Sequence, residues 1–121
     1  MIASNDLTVQ AVRLGMDMAT RRVELASHNV AYANVPGSKA ERGNFDQAIG
    51  LLQRVAAHDD VRPEALASAD LSQMATDANK SVSLDDEVSD MAMASAHYQA
   101  LSEVLNRHFG LMSLALSGDQ G

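Results

Sequence analysis

The chain has no cysteine and no tryptophan. Its 121 residues include only two prolines and four phenyl or phenol rings, Tyr32, Phe45, Tyr98 and Phe109. Without cysteine there are no disulfides, no thiolate metal sites and no thiol nucleophile. The same absence would let the chain enter an oxidising compartment without thiol chemistry. So few rings suit a sandwich core or a deep ligand pocket poorly, whereas Ala, Leu, Val and Met suit close helix–helix packing. Basic residues are also scarce: nine Lys and Arg face sixteen Asp and Glu, a net charge of −7. No basic cluster occurs, so binding to nucleic acid phosphates or to an anionic membrane surface is not expected. No apolar run approaches the roughly 20 residues that span a bilayer. The first residues lack the basic start of a signal peptide, so export, if any, is expected to use a route without a cleaved signal.

What the chain does have is helical periodicity at both ends. Ser4, Asn5 and Asp6 are candidate N-caps for a helix over about 6–33. Val9, Val12, Met16, Ala19, Val23, Ala26, Val30 and Ala33 follow in steps of three and four, the stripe of a coiled-coil seam. Leu7, Ala11, Leu14, Met18 and Leu25 form a second stripe, roughly 160° away at 100° per residue. One stripe can therefore face a partner within the chain and the other a neighbouring molecule. Ser83 and the acidic Asp85, Asp86 and Glu87 suit the start of a second helix, over about 84–116, with Gly118 as its stop. Its main stripe includes Leu84, Val88, Met91, Ala94, Tyr98, Leu101, Leu105, Phe109, Met112 and Leu116. Met93, Ala96, Ala100, Val104, Leu111 and Leu114 line the opposite face.

The middle reads less clearly. Asn34-Val35-Pro36-Gly37 ends the first helix, because Pro36 disfavours helical geometry at Val35 and Gly37 accepts a positive φ. Phe45, Ile49, Leu52 and Ala56 suggest a short helix over about 44–57, and 58–80, with Pro63 as a breaker, reads as loop with at most one helical turn. The expected organisation is an N-terminal helix and turn (1–37), a small irregular central segment (38–82) and a C-terminal long helix (83–121). The fold class is all-α, with the terminal helices paired as an antiparallel coiled coil.

Reactive chemistry is hard to find. His97 and His108 share a helical face but stand about 16 Å apart along the axis, too far to share a metal. Asp59-Asp60 lacks the Gly and terminal Glu of a calcium loop. Asp85-Asp86 is helix-start charge, and no phosphate loop or nucleophile elbow is present. The chain reads as no enzyme, with no cofactor, no metal and no small-molecule substrate.

The informative stretch is Asn29-Val30-Ala31-Tyr32-Ala33-Asn34-Val35-Pro36-Gly37-Ser38-Lys39. A helix end explains Asn34, Pro36 and Gly37. It does not explain Asn29, whose cost inside a helix implies a defined hydrogen bond. This stretch resembles the N-terminal signature of bacterial flagellar axial proteins, with Asn29, Ala31, Ala33, Asn34, Pro36, Gly37 and Lys39 matching in register. Tyr32 stands where the signature has a second Asn, Val35 where it has Thr and Ser38 where it has an aromatic. Near the other end, Asn79, Val82, Leu84 and Glu87 resemble the segment that opens the family's last helix. Tyr98, Leu101, Leu105 and the ending at Leu116–Gly118 look like the proximal rod proteins, the FlgB family more than its sister FlgC family.

The resemblance implies a structural subunit of the flagellar basal-body rod, the drive shaft that crosses the periplasm. Implied partners are copies of the chain, other rod proteins, the proteins where the inner-membrane ring meets the export gate, and the flagellar type III export apparatus. Val104 and Leu111, on the opposite stripe of the last helix, are the expected assembly contacts. A soluble helical adaptor or chaperone-like binder is the competing class.

Overall fold

The computed structural model describes the backbone of residues 2–120; the side chains of residues 2–5, 75, 77–80, 119 and 120 lie outside the description. In chain order the elements are α1 (Ile2–Ala31), β1 (Lys39–Gly43), α2 (Asp46–Ala56), α3 (Pro63–Ala67), β2 (Met74–Ser81) and α4 (Leu84–Gln120). The architecture is all-α in character: long N- and C-terminal helices with one two-stranded ribbon between them. At 1.5 Å per residue, α1 is about 45 Å long and α4 about 55 Å.

α1 is the central element and packs against α4, α2, α3 and β1. Along α1 and α4 the neighbours run in opposite order. Ala26 shares a groove with Ala94, Ala19 shares one with Tyr98, Gly15 meets Leu101, and Arg13 shares one with Leu105. Small residues bring the two backbones close: a Cβ on Gly15 would lie 2.9 Å from Leu101 Cδ1. Elsewhere Leu14, Met18 and Leu25 form a core with Phe45, Ala48, Val61 and Leu66, edged by Leu7 and Ala11.

That core corrects the two-stripe reading of the first helix. The Leu7–Leu25 stripe is not left for a neighbouring molecule, because α2 and α3 of the same chain cover it. The central segment is correspondingly more regular than expected. α2 falls where Phe45, Ile49 and Leu52 place it. Pro63 opens α3 at its first turn, the position where a missing N–H costs nothing. β1 and β2, which the sequence does not announce, pair antiparallel with Glu41 opposite Thr76 and Gly43 opposite Met74, and the register breaks between Lys39 and Glu41. Neither strand is rich in β-branched or aromatic residues, so no propensity signal marks them.

The helix ends differ from expectation in three places. α1 is already helical at Ile2, so Ser4, Asn5 and Asp6 lie inside it and do not cap it. It stops at Ala31, two residues before Ala33. α4 runs through Gly118 to Gln120, because an exposed glycine lowers helix propensity without breaking the hydrogen-bond ladder. At its start Ser83 takes the capping place, its Oγ 3.5 Å from the Asp86 amide. α2 ends with His58 at φ +59°, the His58 amide donating to Val55 O and Asp59 to Arg54 O. This is a Schellman ending with a side chain where glycine is usual.

Candidate assembly site

The matched residues at the end of α1 build a reversal that delivers β1 back against the helix. Ser38 N–H donates to Val35 O at 3.1 Å, with Pro36 and Gly37 between them and Gly37 at φ +80°. That is the pattern of a type II turn, in which proline fixes the first central φ and glycine accepts the positive second one. Pro36 and Gly37 are therefore needed for the chain's path, and both are exposed, as is Asn34 just before the turn. Ala31 is exposed at the helix end, Ala33 is half-buried in the turn, and Lys39 is exposed at the first position of β1.

Asn29 is where the reversal is fastened. It is 1% exposed on α1. Its Nδ2 donates to Glu41 O at 3.0 Å, and its Oδ1 accepts from Glu41 N–H at 2.9 Å. One amide side chain thus satisfies both backbone groups of a strand residue, as a neighbouring strand would. The unexplained asparagine of the sequence has the defined partner its position called for. His28, one residue earlier, sets Nε2 3.5 Å from the Glu41 carboxylate.

The next strand residue is gripped from the other helix. Arg42 Nη1 lies 2.8 Å from Glu87 Oε1 and 3.7 Å from Asp90 Oδ2. Glu87 is fully buried in the first turn of α4, and among the described residues neither carboxylate oxygen has an aligned hydrogen-bond donor. Arg42 therefore holds Glu87 by charge at short range. A buried carboxylate without its cation would be strongly destabilising. Asn29 and Glu87, named from opposite ends of the sequence, converge on adjacent residues of β1.

Beside this clamp a groove of about 350 Å³ opens between α1, β1 and α4, with Arg22, Glu41, Arg42, Asp90 and His97 among its lining residues. Arg42 is engaged with Glu87 and Asp90, and Arg22 stacks 5.5 Å over the Phe45 ring. Among the described residues no three His, Asp or Glu side chains gather as a metal site would require. No helix there is long and apolar enough to cross a membrane.

The remaining candidates separate along α4. Leu101 and Leu105 are half-buried, Leu101 against Gly15, and Tyr98 is only partly covered. Val104 and Leu111 face away, Leu111 being 67% exposed, and Met93 and Leu114 share that open face at 57% and 69%. Val82 is half-buried between β2 and α4. Asn79 belongs to β2, not to the opening of α4, and its side chain is outside the described residues.

Two residues the sequence did not single out matter most here, Glu41 and Arg42. A signal for Arg42 was present in principle. Glu87 lies one heptad before Ala94 and two before Leu101, and an acid at such a seam position demands a cation. No protein-family model, no curated protein and no solved structure matches this chain.

Proposed function

We propose that the chain is a structural subunit of the bacterial flagellar rod, of the proximal type, with α1 and α4 paired as an antiparallel coiled coil. It assembles with copies of itself or with other rod proteins. The observation that carries the reading is the open apolar face of α4: Met93, Val104, Leu111 and Leu114 stand in solvent along one side of a helix about 55 Å long. Large apolar side chains left in solvent along one helix face are the mark of an interaction site. A head-to-tail contact, in which this face of one copy meets a different surface of the next, propagates into a helical tube when the rotation does not close. The flagellar part of the reading rests on the signature from Asn29 to Lys39 and the segment from Asn79 to Glu87, and on no matched relative. It also implies delivery by the flagellar type III export apparatus and a place in the periplasmic rod next to the inner-membrane ring.

The test is to isolate detergent-extracted basal bodies from the source cell and probe them for this chain. Presence there, with flagella lost on deletion, is the expected result. Finding the chain only in the soluble fraction of motile cells refutes the rod assignment and favours a helical adaptor using the same face.

A further inference from the structure

We propose that the Arg42–Glu87 pair, tied to α1 through Asn29 and Glu41, sets the axial register in which α4 lies along α1. The proposal rests on the antiparallel pairing of the two helices and not on the flagellar assignment.

Apolar packing alone fixes this register weakly. On α4 the positions turned toward α1 recur every seven residues: Glu87, Ala94, Leu101 and His108. Ala94 is buried, Leu101 lies over Gly15, and His108 has its Nε2 sealed from solvent. The facing residues of α1 are small, Ala19 and Ala26 both being buried. Sliding α4 by one heptad keeps much of the seam filled: one way Ala94 comes onto Gly15 with Glu87 carried into the place of Ala94, and the other way Leu101 takes the place of Ala94 with His108 carried onto Gly15. A seam of this composition tolerates slippage unless a polar member specifies the alignment, at a cost in stability.

Glu87 is that member. Fourteen residues, two heptads, separate Gly15 from Asn29 on α1, and the same number separates Glu87 from Leu101 on α4. Glu87 therefore reaches the level of Asn29 in the same alignment that seats Leu101 on Gly15. Arg42 cannot follow a sliding helix, because Asn29 holds both backbone groups of the preceding residue. A heptad slip one way would present Ala94 to Arg42. The other way α4 has nothing to present, since it begins at Leu84. A slip of three would offer Asp90, but it turns the helix face by about 60° and carries Leu101 off Gly15. Only the observed alignment neutralises the arginine while keeping the seam.

The absence of native cysteine makes this measurable. In the full chain at low concentration, Gly15→Cys is combined in turn with Leu101→Cys, Ala94→Cys or His108→Cys, and intramolecular disulfides are quantified after oxidation. The otherwise unaltered chain is expected to cross-link through residue 101. Replacing the pair by Arg42→Met with Glu87→Met keeps bulk in place of charge, an exchange that leaves many proteins as stable as before. Helical circular dichroism is then expected to be retained, while the ratio of 94 and 108 cross-links to 101 cross-links rises about tenfold. Asn29→Ala, which leaves the pair and the β1–β2 ladder but unties Glu41 from α1, is expected to broaden the pattern in the same way. An unchanged pattern in the double-Met chain overturns the proposal, as does loss of its helicity, which would assign the pair to the fold itself. Failure of 15–101 cross-linking in the otherwise unaltered chain overturns the helix pairing instead.

Discussion

Replacing Asn29 by alanine removes two hydrogen bonds at once and orphans the N–H and C=O of Glu41, a half-buried strand residue. A buried backbone group left without its partner costs about 1–3 kcal/mol, and partial exposure places each of these toward the low end. Alanine recovers up to about 0.7 kcal/mol of helix propensity. The net expectation is a loss of about 1.5 kcal/mol. With a urea dependence of about 1–3 kcal/mol per molar, the unfolding midpoint falls by roughly 1 M. Chemical denaturation followed by circular dichroism reads this loss, and hydrogen exchange at the Glu41 amide reads its location. Asn29→Asp sharpens the test, because it keeps an acceptor for Glu41 N–H but loses the donor to Glu41 O. Burial would raise the folded-state pKa of the new carboxyl, so this variant should be most stable below about pH 4 and lose stability as pH rises through the window above it. A midpoint within about 0.2 M of the parent for Asn29→Ala, with the Glu41 amide still protected, would refute the clamp.

Leu111→Asp or Val104→Asp should leave monomer stability within about 0.5 kcal/mol, because both side chains face solvent. Either should abolish incorporation into basal bodies while export continues, read by fractionation and motility; normal motility would count against the open face as an assembly surface. His58→Gly should stabilise the chain by up to about 1 kcal/mol, since glycine accepts the positive φ at the end of α2 without strain. A thermal melt should rise by a few degrees, and a fall would mean that the His58 side chain contributes a contact of its own. Leu66→Ala should cost about 2–5 kcal/mol, as Leu66 is 2% exposed in the core against α1. A loss below about 1 kcal/mol would show that the core around α3 closes over the gap.

The two long helices were legible because their period of three and four residues is sustained far beyond chance, and because Pro36 and Gly37 punctuate the first one sharply. Asn29 was legible as an anomaly: an amide inside an apolar helix needs a partner, although its neighbours along the chain do not name Glu41. The ribbon was not legible. Lys39 to Gly43 and Met74 to Ser81 are held by Asn29, Arg42 and each other's backbones, and such tertiary hydrogen bonds leave no mark in local composition. The same limit explains the misread second stripe of α1. Periodicity reveals that Leu14, Met18 and Leu25 need cover, but the cover comes from Phe45, Val61 and Leu66, whose spacing carries no helical rhythm across the breaker at Pro63. Glu87 read as helix-start charge from its position alone, and only its burial separates it from Asp85 and Asp86, which are exposed.

The placement of α1 between two sets of partners has a consequence in time. Its contacts with α2 and α3 join segments near in sequence, whereas its contacts with α4 must bridge residues 32–83. Short-range closure is fast and long-range closure slow, because the entropy of the intervening loop is lost before any contact rewards it. A chain emerging N-terminus first would consolidate the α1–α2–α3 unit while α4 is still arriving. During that interval Ala19, Ala26 and the seam around them stand uncovered, open to whichever helix reaches them first. The α4 of a second copy, where one is close by, would then compete with the chain's own, and the outcome would depend on local concentration.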